Sequence, residues 1–370
     1  MELTKQNQSA GDNSTQMQAG VINNYTIVNG IDEARARSIW KEEYAIAKQE
    51  LTEEAQMVAV NRVHQLEEKV MPKLLAYDKS MGFFADPSFQ ILLRKAQITA
   101  AASEREADYD MLAELLLHRI EQGEDRERRL GISKAIEIVD QISDAAICGL
   151  STFYAVSSFC PSTDDLYEGL SVINELYEKV IDNKKLPNGA NWLEHLDLLS
   201  VIRLSTKGIG SFKKINEFAP AIFSKHFVSG IKEDTEEYAT IKKQVEQCGI
   251  SLDCFVPHPL KPGYVKLKIS NNIGDIYIHD HVIDTDTTHM PLNEAQKEVI
   301  NKVINITRKD ESNNEQLVSK LMEEWDKYPT LYVVRQWWDN LPRFFSVTAI
   351  GRAIANAYIQ GKEPRVPCLY

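Results

Sequence analysis

From Ile31 to Met71 the chain contains neither proline nor glycine, and this uninterrupted run is the strongest constraint on its fold. Ala36, Trp40, Tyr44, Ala47, Leu51, Ala55, Val58 and Leu66 recur at helical spacing, Ile39, Val63 and Val70 widen the stripe, and Glu and Lys fill the other face. The pattern predicts one long helix over 31–71, capped by Asp32 and ended or kinked by Pro72. Such a helix exceeds the usual globular length. It reads as a stalk, or as a central helix that the body wraps.

The stretch before it is the second constraint. Residues 1–20 are rich in Gln, Asn, Ser, Thr and Gly, the composition of a flexible tail. Yet Gly11, Gly20 and Gly30 punctuate it at near-equal intervals, and Val21, Ile22, Tyr25, Ile27 and Val28 suit a strand. Gly and Asn turn corners easily, and Asn side chains such as that of Asn13 hydrogen-bond along stacked identical strands. One copy is too short to bury its own apolar face, whereas several copies together have enough. The two readings are therefore a tail with one stray strand and a ribbon that orders by pairing with copies of itself. The second assigns Gly11, Asn13, Gly20, Val21, Ile22, Tyr25 and Ile27 to contacts between subunits. Trp40, Leu51 and Val58 of the following helix extend that set.

Beyond Pro72, helical segments of similar length follow one another. Asp86-Pro87 opens one, Ser143 caps another that Pro161 closes, and Thr348 caps a last one over 349–359. Short connections imply stacked helical hairpins or a bundle. Residues 250–291 shift in character, with Pro257, Pro259, Pro262 and Pro291 around alternating Val265, Leu267 and Ile269 and then Ile276 and Ile278. That pattern reads as a small β-hairpin insertion near 250–290. The expected fold is mainly α. Its units are an N-terminal β segment over 1–30, the long helix over 31–71, a helical body over 72–248, the β-containing insertion over 249–291 and a helical unit over 292–370.

Composition narrows the function classes. A net charge of −12 makes nucleic acid and anionic membrane poor partners, since both repel an acidic surface. The five cysteines Cys148, Cys160, Cys248, Cys254 and Cys368 are odd in number and form no Cys-x-x-Cys pair, which suits reduced thiols in a cytoplasm. The most apolar windows, 145–160 and 344–359, are shorter than a bilayer span. No secretory leader is evident.

Two stretches carry candidate chemistry. In Ile278-His-Asp-His-Val-Ile-Asp-Thr-Asp-Thr-Thr-His289, strand alternation places His279 and His281 on one face, with Asp284 and His289 able to complete a divalent-metal site. The plainer reading is a solvated hairpin end followed by an Asx-rich loop, and with it no cofactor. The C-terminal run Trp337–Thr348 reads as a helix end, a short strand and a capped helix. It fits either a packed terminal helix or a winged-helix-like module for nucleic acid. Paired carboxylates such as Glu53-Glu54 diverge on their helices, and no Gly-x-Ser-x-Gly elbow is present. The residues thus favour a non-enzymatic role.

The Gly11-Asp-Asn-Ser-Thr-Gln16 opening, the Asp86-Pro87 helix with Ala96-Gln97, and the Phe345-Ser-Val-Thr-Ala-Ile-Gly351 ending together resemble a poorly characterised family of bacterial cytoplasmic α-helical proteins. Related Gly-Asp-Asn-Ser openings occur in bacterial proteins tied to phage defence. The resemblance implies a bacterial, cytoplasmic sensor or scaffold in that setting, partnered by itself and by a protein or phage component, and it carries over no catalytic residue. The alternatives are a metal-dependent enzyme or toxin centred on His279 and His281, and nucleic-acid binding through the C-terminal unit.

Overall fold

The computed structural model describes residues 31–47, 51–122, 125–161, 163, 165–205, 211–267, 294–307 and 309–369. The ribbon residues Gly11, Asn13, Gly20, Val21, Ile22, Tyr25 and Ile27 lie outside them, as do His279, His281, Asp284 and His289.

The first helical run is two helices, α1 (Glu33–Ala47) and α2 (Glu53–Tyr77). The expected single helix fails at Thr52, whose side chain caps α2 by accepting from the Ala55 amide at 3.4 Å, with Glu53 and Glu54 favourably placed in the first turn. Pro72 does not end α2. Its side is exposed, and so is Glu68, whose carbonyl loses the helical partner that proline cannot supply. Water can satisfy that carbonyl, so the helix runs on to Tyr77.

The body follows in helical hairpins: α3 (Pro87–Ala102), α4 (Glu106–Glu121), α5 (Arg126–Ile138), α6 (Asp144–Ser158), α7 (Leu166–Ile181) and α8 (Asn191–Leu198). The caps read from the sequence are present. Asp86 accepts from the Ser88 amide, Ser143 from Ala146, and Thr348 from Gly351. A short strand β1 (Ile202–Leu204) precedes α9 (Ile215–Ile222), in which the buried Pro220 is followed by only two more helical residues.

The β-containing part is larger than its sequence pattern suggested. A three-stranded sheet has the order β2-β4-β3, from β2 (Ile231–Lys232), β3 (Phe255–Pro257) and β4 (Tyr264–Leu267), all antiparallel. It packs with α10 (Glu236–Gln247) and α11 (Glu294–Thr307) around a core of its own, formed by Ile231, Ile241, Val245, Val265, Leu267 and Val303. The chain enters and leaves this unit side by side. Ser229 and Gly230 donate to the carbonyls of Lys309 and Thr307, and Val228 bridges Asp310. The insertion therefore runs from about 228 to 310 rather than 249 to 291, because α10 and α11 supply the apolar cover that so small a sheet needs.

The chain closes with α12 (Glu315–Trp325), α13 (Pro329–Asp339), β5 (Phe345–Val347) and α14 (Ala349–Lys362). β5 pairs antiparallel with β1, Ile202 opposite Val347. α14 packs against α4, α5, α6 and α7 and buries Gly351 and every residue from Ala353 to Ile359. Its alanines let those helices approach closely. Beside it, Phe153 stacks on Trp338 and meets Phe345 at 4.5 Å.

Candidate interaction surface and polar clusters

α2 buries Ala59, Val63, Leu66 and Val70 against the body. At about 100° per residue, Met57 faces away from that stripe, and Val58 and Val60 stand about a quarter-turn from it on either side. All three are aliphatic positions on the solvent side, exposed by 71 %, 51 % and 46 %. Leu51, 40 % exposed, is held beside the first turn because the Gln56 amide donates to its carbonyl at 2.8 Å. Exposed Glu53, Glu54 and Asn61, together with the His64–Glu68 pair, share this solvent side and are interleaved with the aliphatic residues. Single exposed apolar residues need no explanation; four so close in sequence, interleaved with acidic and amide side chains, make this side of α2 a candidate contact surface.

Of the helical residues expected to make contacts between copies, Leu51 and Val58 lie on this face. Trp40 does not. It is 2 % exposed, inside the chain's own core, where the buried Gln97 side chain donates to its carbonyl at 3.0 Å.

A second polar group joins the insertion to the body. The buried Lys266 amine donates to His226 Nδ1 and to the Lys225 carbonyl, both at 3.0 Å. His258 Nδ1 accepts from the Leu260 amide at 3.1 Å, and its Nε2 donates to the Val228 carbonyl at 3.0 Å. Burial, reinforced by the Lys266 charge, pushes His226 down to about 3 and His258 down to about 4. Both imidazoles are neutral near pH 7 and act as fixed hydrogen-bonding groups. Lys261 adds a bond to the Ser229 carbonyl and an ion pair to Glu311 at 2.6 Å. This cluster fastens β4 and the turn before it to residues 225–229. His226 and Lys266 gave no signal, since they are 40 residues apart and meet only through the fold.

A cleft of about 630 Å³ lies between the loop after α7 and helix α13. Lys184, Lys185, Tyr332, Gln336, Trp337 and Asn340 are among its lining residues. Among the described residues that line it there is no His, Cys, Asp, Glu, Ser or Thr. It offers amines, amides and apolar surface, which suit binding, and lacks a carboxylate or imidazole for proton transfer.

The C-terminal unit does not present a recognition helix. α14 is enclosed by four helices, so it has no free face to enter a nucleic-acid groove. β5 is consumed in pairing with β1.

Comparison with known proteins found one family model, whose description reads only ":-like", matching residues 30–364. No curated protein and no solved structure matches the chain. No described helix is long and apolar enough to cross a membrane. The family match spans α1 to the end of α14 and so covers most of the chain, which belongs to that ":-like" family.

Proposed function

We propose that this protein is a self-assembling bacterial scaffold or sensor, acting by assembly rather than by turnover of a substrate. The observation that carries the reading is the aliphatic solvent face of α2, formed by Leu51, Met57, Val58 and Val60. Its occupant is a second copy of this chain. The same first 60 residues contain a 30-residue ribbon with too little apolar surface for a core of its own, and copies that meet at one element bring the other together.

The magnitudes agree with a joint role. Finishing the burial of four exposed aliphatic side chains gives on the order of 1 kcal/mol each, or about 8 kcal/mol for two copies face to face. Association costs roughly 4–15 kcal/mol. The face alone therefore supports weak pairing, and the ribbon supplies the rest. The likeness of the N-terminal opening to proteins tied to phage defence supports a role in that setting, as a cytoplasmic sensor or scaffold.

The test is the mass per particle of full-length protein by light scattering, beside Met57→Asp, Val58→Asp and a form lacking residues 1–30. A multimeric wild type, with smaller particles for each variant, supports the reading. A monomeric wild type, or particle masses that none of the changes alters, overturns it. Plaque counts on cells expressing wild type or Val58→Asp test the defence role. Protection that is absent in the wild type removes it.

A further inference from the structure

The last turns of α4 carry Glu114, His118 and Glu121, at spacings of four and three, which one helical face brings into line. α14 packs against α4. The segment after α14 then folds back. The Gln360 amide donates to the Val366 carbonyl at 3.1 Å, and the Leu369 amide donates to Asn356 Oδ1 at 2.8 Å. This return sets Cys368 beside the end of α4, with Gln122 Nε2 at 4.0 Å from its sulfur. As a result a ring nitrogen of His118, a carboxylate oxygen of Glu121 and the Cys368 sulfur all lie within 4.8 Å of one another.

His118 supplies the independent evidence. It is 1 % exposed. Its Nε2 meets Gln360 Oε1 at 2.5 Å, and the Val366 carbonyl fixes the amide so that oxygen, which only accepts, faces the ring. Nε2 therefore carries the proton, and Nδ1 presents a bare lone pair. That atom is buried and has no hydrogen-bond partner. Giving the distal N–H to an amide oxygen is how metal-bound histidines are oriented. Glu114 is already paired with Lys73 at 2.7 Å. Glu121, by contrast, is exposed and offers a carboxylate oxygen to the group.

We propose that His118 Nδ1, Glu121 and Cys368 Sγ form a three-ligand site for a divalent cation of zinc-like chemistry, with a fourth position open. A mixed nitrogen, oxygen and sulfur set selects Zn²⁺ over Mg²⁺ or Ca²⁺. Bonds of about 2.0–2.3 Å place tetrahedral ligands roughly 3.3–3.8 Å apart. Closure thus needs about 1 Å of side-chain movement, which the exposed Glu121 and half-buried Cys368 can make. The site clips the segment after α14 to α4, joining residues some 250 positions apart in sequence.

The test uses full-length protein stripped with chelator and titrated with Co²⁺, then Zn²⁺. One equivalent of Co²⁺ should produce the near-ultraviolet charge-transfer band that a thiolate ligand gives, and Zn²⁺ should displace it. Cys368→Ser should abolish the band, Glu121→Gln should weaken binding, and Cys160→Ser should leave both unchanged. Gln360→Ala, which only releases the orientation of the ring, should weaken binding by roughly 10–100-fold. The buried His118 need not be replaced, because Cys368 and Glu121 are less enclosed and their variants read the site directly. Absence of stoichiometric binding, or a band that survives in Cys368→Ser, overturns the proposal.

Discussion

Two glycines in α14 give opposite predictions for the same substitution. A Cβ added at Gly351 would sit 2.2 Å from the Val201 carbonyl oxygen and 2.7 Å from Val347 Cγ1. Carbon and carbonyl oxygen ordinarily approach to about 3.3 Å, so the shortfall is about 1 Å. The obstacle is backbone, and it is held in place. Val201 is fully buried and accepts both the Thr348 amide at 3.0 Å and the Thr348 hydroxyl at 2.9 Å, and the β1–β5 ladder starts beside it. α14 cannot retreat, because α4, α5 and α6 pack on it. Gly351→Ala gains about 1 kcal/mol in helix propensity. Against this stand about 1–3 kcal/mol for overpacking and about 1 kcal/mol for each Thr348 bond that lengthens. With both bonds lengthened the net is a loss of about 2–4 kcal/mol. At Gly361 the nearest atom to an added Cβ is Asp110 Cβ at 3.4 Å, an ordinary contact. Gly361→Ala should therefore be neutral or stabilising by up to about 1 kcal/mol. Urea unfolding of both variants, compared at matched m values, separates the two. If Gly351→Ala is as stable as Gly361→Ala, the close packing of α14 on Val201 is refuted.

Other outcomes follow from the same geometry. Glu43→Ala, which removes the carboxylate receiving Arg94 at 2.5–2.8 Å between α1 and α3, should cost about 1–3 kcal/mol and appear as faster amide exchange in α1. His226 and His258 titrate in the folded chain far below the ordinary value of about 6.5. The unfolded chain thus binds protons that the folded chain refuses, stability is complete above about pH 6.5, and it falls as pH drops toward 4. His258→Asn, which retains an acceptor for the Leu260 amide, should flatten that fall in a comparison of urea midpoints at neutral and mildly acid pH. Assembly through an aliphatic face should persist at roughly 1 M salt, where exposed ion pairs are screened. Dissociation on adding salt would contradict a contact made by Leu51, Met57, Val58 and Val60.

What could be read in the sequence was local. Helix starts at Asp86, Ser143 and Thr348 need only a short polar side chain and the amides two or three residues on, and all three were legible. The insertion announced itself by its prolines and alternation, but its limits did not. The pairing of 228–230 with 307–310 depends on residues some 80 positions apart. Pro72 misled because its cost depends on which face it occupies, and the solvent face lets water take the orphaned carbonyl. The His118, Glu121 and Cys368 cluster was invisible for the same reason as Lys266 and His226. Each depends on a distant return of the chain, and no spacing encodes it.

The α1–α2 break shows how a local error bears on function. Read as one helix, Leu51, Ala55 and Val58 continue the stripe of Trp40 and Tyr44, and the sequence assigned Trp40, Leu51 and Val58 alike to contacts between copies. Thr52 caps a new helix, α2, with an inward stripe of its own. The inward stripe of α2 becomes Ala59, Val63, Leu66 and Val70, and Leu51, Ala55 and Val58 turn to solvent. The solvent side of α2 lies on a protein of net charge −12, whose copies repel one another at random orientations. Glu53, Glu54 and Glu68 lie among the aliphatic residues on that side. In the proposed assembly two copies would gain only where aliphatic side chains meet and the interleaved glutamates avoid one another, so charge would oppose wrong encounters.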